Sequence, residues 1–121
     1  MNITVSAFAA SALSAAALLF APAAHAGADA SCHFHGSKPA AEATVVGCAT
    51  QYKNQLVAGS KVDKSWQDIA KPEKVEQIEG KKGKEWRITF RNPAVTDKAK
   101  DTLYLFYSLP GNFIAANHTG Q

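Results

Sequence analysis

The spacing of hydrophobic residues changes from a helical period to a strand period about halfway along the chain. Over residues 39–58, an apolar stripe repeats at intervals of four, three and four positions, which places its members on one face of a helix. Pro39 suits the first helical turn, Ser37 can cap it, and Gly59 is a natural stop. The stripe consists of Val45, Ala49, Tyr52 and Leu56, with Cys48 at its border and Glu42, Lys53 and Asn54 off it.

The second half of the chain alternates between apolar and polar residues, as a strand with one buried face does. Residues 85–91 and 102–109 are the clearest strands, and residues 74–79 and 112–118 are candidates on either side of them. The predicted buried faces are Trp86, Ile88 and Phe90 in the first of these strands and Leu103, Leu105 and Tyr107 in the second. The predicted turns are Gly80-Lys81-Lys82-Gly83 and Pro110-Gly111.

These elements predict a small α+β domain. Consecutive strands joined by short turns pair antiparallel, and one amphipathic helix would cover the apolar face of a three- to four-stranded sheet. A short second helix or turn is expected over residues 62–70, around Trp66. Tyr104 and Phe106 make their strand apolar on both faces. We therefore expect the segment around Trp66 to cover Tyr104 and Phe106, or these aromatic residues to form an interaction face.

The N-terminus has the pattern of a cleavable secretory signal. Residues 1–26 contain no Lys, Arg, Asp or Glu, and they end in the small-x-small tripeptide Ala24-His25-Ala26, which signal peptidase reads. The apolar stretch is diluted by Ala and Ser and broken by Pro22, unlike a retained membrane span. We expect a signal peptide at 1–26 and one exported domain at 27–121, periplasmic or secreted, with no stable membrane anchor.

Charge in the predicted mature chain is mixed. The formal net charge is +3, and residues 71–85 interleave Lys with Glu, as a solvated surface does. The local basic cluster Lys81-Lys82-Gly83-Lys84 is interpreted as an exposed hairpin tip. An exported protein has little reason to meet nucleic acid, so we expect a protein or small-ligand partner instead.

The two cysteines, Cys32 and Cys48, both follow the predicted signal. An exported domain with one cysteine pair most simply forms a disulfide. Closing a loop of about 16 residues stabilises a fold by about 3 kcal/mol in the chain-entropy model. The sequence leaves open whether the thiols are bridged or free.

One short run of residues could carry chemistry, Cys32-His33-Phe34-His35. In an extended segment, side chains two apart point the same way, so His33 and His35 would project together. Paired imidazoles suit copper or zinc, and a structural zinc site requires four ligands. If the cysteines are oxidised, further ligands must come from elsewhere, and the candidates are His118, expected to approach the N-terminal segment, and Asp29. The alternative is that both histidines are ordinary surface groups beside a disulfide.

Enzyme motifs are lacking. The sequence has no Gly-x-Ser-x-Gly elbow, no phosphate loop and no Cys-x-x-Cys pair. A nucleophilic cysteine would be lost to a disulfide in an oxidising compartment. We therefore expect a binding protein and not an enzyme.

Two resemblances add to this interpretation. The run from Cys32 to Pro39, with residues 86–90 and 111–117, resembles an uncharacterised family of small exported Gram-negative bacterial proteins. That resemblance covers nearly the whole mature chain and implies export, but no activity.

The second resemblance is one of layout. A helix followed by a meander of strands, the last two joined by a Pro-Gly turn, is similar to PepSY-like modules and to the cystatin-like architecture. Such modules are exported or membrane-tethered binding or inhibitory domains. This resemblance implies a protein-interaction or inhibitory domain that acts through its sheet face or hairpin tips.

Overall fold

The computed structural model describes residues 32–121. They form one α-helix, a 3₁₀ helix and four strands. The predicted signal peptide at 1–26 lies outside the described residues. Within the described part, no helix is both long enough and apolar enough to span a membrane. The elements are α1 (Glu42–Ala58), the 3₁₀ helix (Lys64–Asp68), β1 (Lys74–Gly80), β2 (Gly83–Arg91), β3 (Thr102–Ser108) and β4 (Phe113–Asn117).

The four strands form an antiparallel meander in the order β1-β2-β3-β4. Gly80 pairs with Gly83, so Lys81 and Lys82 form a two-residue hairpin tip. A register shift opposite Phe106 and Tyr107 marks a bulge in the last pair of strands. The α+β prediction is confirmed, with the sheet at the upper end of the expected strand number.

The core lies between α1 and one face of the sheet. Ile88, Phe90 and Leu105 are fully buried, as the alternation in β2 and β3 predicts. On α1, Val45 and Ala49 are also fully buried, while Tyr52 and Leu56 are partly buried against the same cluster. The helical stripe and the alternating strand faces therefore meet as one core.

The helix begins later than predicted. Its N-cap is Ala41, with extended backbone and no side-chain capping bond, so the predicted cap at Ser37 and start at Pro39 are wrong. Just ahead of the helix, the Ala40 N–H donates to the carbonyl of Leu109 at 2.9 Å. This bond ties the chain to the end of β3 before the helix can begin.

The helix ends at Gly59 as predicted, but a different residue makes the turn. Gly59 has φ −84°, whereas Ser60 takes the left-handed conformation at φ 55°. The Ser60 N–H donates to Val57, and the Lys61 N–H donates to Leu56. These two bonds form a Schellman motif with Ser60 at the position that usually holds glycine.

The segment after the helix folds back onto it. Asp63 caps the 3₁₀ helix, and its carboxylate accepts bonds from the Ser65 N–H and hydroxyl. Trp66 is 1% exposed and belongs to the core cluster. The 3₁₀ helix packs against α1, so Trp66 enters the core from the helical side of the sheet.

Candidate functional site

A disulfide between Cys32 and Cys48 joins the N-terminal segment to the middle of α1, with Cα atoms 5.8 Å apart. Cys48 is 5% exposed and forms part of the core. The predicted pairing is confirmed. Because disulfide sulfurs are not thiolates, neither cysteine is a metal ligand in this state. The bond is consistent with an oxidising, extracytoplasmic compartment.

The main chain of Phe34 is held by the carboxamide of Asn112. The Phe34 N–H donates to Asn112 Oδ1 at 2.7 Å, and Asn112 Nδ2 donates to the Phe34 carbonyl at 2.8 Å. The side chain thus replaces both hydrogen bonds that a neighbouring strand would form. The Phe34 ring packs over Gly111, where a Cβ atom would lie 3.0 Å from it. Gly111 also has φ +106°, so both its backbone and the close ring contact favour glycine.

His33 and His35 flank this anchored residue and are both exposed. Their rings lie side by side, with centroids 4.8 Å apart and planes at 86°. The alternation of an extended segment predicts this common side. The structure therefore presents two imidazoles together on a segment fixed by a disulfide and two main-chain hydrogen bonds.

His118 lies elsewhere. Its Nδ1 is 2.6 Å from the carbonyl of Thr102, at the beginning of β3. Asn112, which holds the N-terminal segment, is six residues away at the other end of β4, roughly 20 Å along an extended strand. The expectation that His118 approaches the N-terminal segment is therefore wrong.

No group of three or more His, Cys, Asp or Glu side chains within residues 32–121 could hold a metal ion. Asp29, the other proposed ligand, lies outside the described residues. The pair His33 and His35 stands alone as the candidate contact, and metal binding stays a prediction.

The outer face of the sheet is not covered as predicted. Trp66 lies in the core on the helical side, so it does not cover Tyr104 and Phe106. The C-terminal residues cover Tyr104 instead. The Tyr104 ring lies 3.2 Å from the position of a Cβ atom on Gly120, and Arg87 Nη1 donates to the Gly120 carbonyl at 3.4 Å. The backbone of a polar segment can cover an aromatic ring. The pattern of apolar residues does not reveal such a cover, because the covering segment has few apolar side chains.

Polar and apolar groups share this outer face. Arg87 lies between Tyr104 and Glu76, and its hydrogen bond to Glu76 holds the pKa of that carboxyl below its usual range. Phe106 is 5% exposed, whereas Ile114 in the bulge is 47% exposed. Both line an open groove of about 680 Å³.

Two residues that anchor segments of the fold, Lys53 and Asn112, were not found by sequence reasoning. Lys53 was placed off the apolar stripe but is 1% exposed. Its Nζ donates to the Trp66 carbonyl at 2.8 Å and to Asn54 Oδ1 at 2.9 Å, and lies 5.9 Å from the centroid of the Phe90 ring. Burial lowers the pKa of the Lys53 ammonium, and the charge of Asp68 offsets part of that effect.

The second missed anchor is Asn112, described above. The position of Lys53, four residues after Ala49 on α1, is the signal that could have indicated its inward orientation. Nothing in the local pattern distinguishes Asn112 from an ordinary turn residue, because its partner Phe34 is 78 positions away.

Comparison with known proteins gives a family but no activity. No curated protein and no solved structure shows a significant match to the chain. A family model described as a family of unknown function, DUF6488, matches residues 1–121. The chain therefore belongs to this family of unknown function.

Proposed function

We propose that the protein is an exported, non-enzymatic binding module that holds a transition-metal ion, copper or zinc, between His33 and His35. One observation carries the proposal: two exposed imidazoles lie with ring centroids 4.8 Å apart on an anchored segment. Imidazole nitrogen is a preferred donor for both metals. The ion would act as a bound ligand, with no chemical reaction assigned to it.

Anchoring favours binding because it reduces the entropy lost when two side chains converge on one ion. The disulfide at Cys32 lies on one side of the pair, and the Asn112 bonds hold the residue between the two histidines. These contacts restrict the backbone before and between the two histidines.

Two protein ligands are fewer than the four of a structural zinc site. The remaining coordination positions would be filled by solvent or by a partner. We therefore propose an exchangeable surface contact for the metal in a periplasmic or secreted protein. The Cys32–Cys48 disulfide supports that compartment.

Titration of the purified exported protein with Cu(II), and separately with Zn(II), tests the proposal through the imidazole NMR signals. We expect saturable changes at His33 and His35 at about one equivalent of metal. The double variant His33→Ala, His35→Ala should bind at least about tenfold more weakly, since it removes both donors. His118→Gln is the matched control, because that histidine lies at the other end of β4, away from the pair.

Equal loss of binding in the control and the double variant would disprove the assignment, as would unchanged imidazole signals with both metals. The alternative interpretation, a PepSY-like protein-interaction or inhibitory domain acting through the sheet face, predicts that metal-silent outcome. The intact mass of protein taken from the periplasm separately tests signal removal, the disulfide and any retained metal.

A further inference from the structure

A second recess lies at the end of the molecule away from His33 and His35. It is formed where the turn after α1 meets the loop before β3 and the end of β4, and its volume is about 370 Å³. That volume is at the lower end of the range for small-ligand sites. The polar groups lining it are Ser60, Lys61, Asp63, Lys100 and His118, and Trp66 forms part of its wall.

The orientation of His118 is set by its hydrogen bond. A carbonyl oxygen only accepts, so the 2.6 Å contact with Thr102 places a proton on Nδ1 of His118. Nε2 is then the free ring nitrogen of a histidine that borders the recess. It can accept from a hydroxyl of a ligand, or donate to an oxygen when the ring is protonated.

The two lysines that line the recess supply its positive charge. Within residues 32–121, neither Lys61 nor Lys100 forms an ion pair. The carboxylate in the recess, Asp63, already accepts two bonds from Ser65, one at 2.9 Å and one at 2.6 Å. These bonds hold the pKa of Asp63 below its usual range. Asp63 therefore stays ionised, with two of its hydrogen bonds made locally, and the two lysines outnumber this one carboxylate in the lining.

Trp66 forms part of the wall of the recess and is 1% exposed. Within residues 32–121, its indole N–H donates to no acceptor, whereas Trp86 Nε1 donates to the Leu109 carbonyl. The Trp66 indole is therefore the one of the two that a ligand in the recess would affect.

From these groups we propose that the recess binds a small oxyanion, or the phosphate, sulfate or carboxylate end group of a larger molecule. Lys61, Lys100 and Ser60 line it beside Trp66, and hydrogen bonds to charged groups are the stronger kind. This site uses none of the residues of the proposed metal contact. The anion-binding proposal can therefore be confirmed or disproved independently of metal binding.

Titration with inorganic phosphate, sulfate and acetate, each against sodium chloride of equal ionic strength, tests the proposal by NMR. We expect saturable shifts of the Trp66 indole N–H, with the Trp86 indole unchanged because it is bonded to Leu109. Tetrahedral anions binding more tightly than acetate would indicate a phosphate or sulfate ligand. The reverse order would indicate a carboxylate.

The double variant Lys61→Gln, Lys100→Gln should weaken binding by about tenfold or more, since each lysine offers a charge-assisted bond. The matched control is Lys81→Gln, Lys82→Gln, which removes the same charge from the hairpin tip and should change affinity less than about twofold. Equal weakening in both variants would show general charge attraction and overturn the proposal. The absence of a saturable Trp66 shift with all three anions would also overturn it.

Discussion

The two ends of the sheet hold their peripheral segments by different means. At one end, a covalent bond from Cys32 and the carboxamide of Asn112 fix a segment whose histidines remain exposed. At the other end, buried polar side chains hold the 3₁₀ helix. Lys53 bonds the Trp66 carbonyl, and Asn92, also 1% exposed, donates to the Ser65 hydroxyl at 2.9 Å.

This difference follows from what each segment can bury. The 3₁₀ helix places Trp66 in the core, so the Trp66 carbonyl is buried as well and needs a donor. The N-terminal segment contributes Phe34 but leaves both neighbouring histidines in solvent. With less apolar surface to bury, that segment relies on a crosslink that restricts the unfolded chain.

Removing the crosslink should have the largest effect. The double variant Cys32→Ser, Cys48→Ser opens a loop with a sequence separation of 16 and should lower the free energy of unfolding by about 3 kcal/mol. Urea denaturation of the variant measures this loss. Reduced wild-type protein is the control and should lose a similar amount. A loss below about 1 kcal/mol in both would mean that the Asn112 bonds and Phe34 packing suffice to hold the segment.

At the opposite end, Lys53→Ala should lower the free energy of unfolding by about 2 kcal/mol, because the Trp66 carbonyl is left buried without its donor. Hydrogen exchange should accelerate over the 3₁₀ helix before the sheet. Lys64→Ala is the matched control, since Lys64 is exposed on that same helix. If both variants unfold at the same urea concentration, the buried ammonium is not an anchor.

Asn112→Ala should cost about 1 kcal/mol, because it removes both hydrogen bonds to Phe34. Asn112→Asp keeps an acceptor for the Phe34 N–H but sets a carboxylate oxygen against the Phe34 carbonyl in place of the donor, so we expect a loss at least as large. The readouts are urea denaturation and the NMR line widths of His33 and His35. Unchanged line widths in Asn112→Ala would show that the disulfide alone positions the histidines.

Much of the fold could be predicted from local pattern. The alternation in β2 and β3 identifies their buried faces because side chains in a strand point to opposite sides with period two. The cysteine pair could be predicted from its compartment and number. Both inferences need only the residue types and their spacing.

What could not be predicted depends on the path of the chain in space. The apolar outer face at Tyr104 and Phe106 predicts a cover by the segment around Trp66, but nothing in residues 62–70 says which side of the sheet they cross. The position of His118 near the end of the last strand predicts an approach to the N-terminal segment, but the direction of β4 relative to that segment depends on tertiary contacts. Lys53 was treated as a surface residue because lysines are rarely buried without specific partners, and its partner is the backbone of another element.

The helix C-terminus offers the smallest and opposite effect. Gly59 looked like the residue that ends α1, yet Ser60 adopts φ 55°. Ser60→Gly should therefore raise the free energy of unfolding by about 0.5–1 kcal/mol, by relieving the left-handed conformation of a non-glycine residue. Gly59→Ala is the comparison: its φ is −84° and the added Cβ would lie 3.4 Å from the Gln55 carbonyl, so little loss is expected. Thermal unfolding of the two variants decides the point, because a destabilised Gly59→Ala beside an unchanged Ser60→Gly would return the terminating role to Gly59.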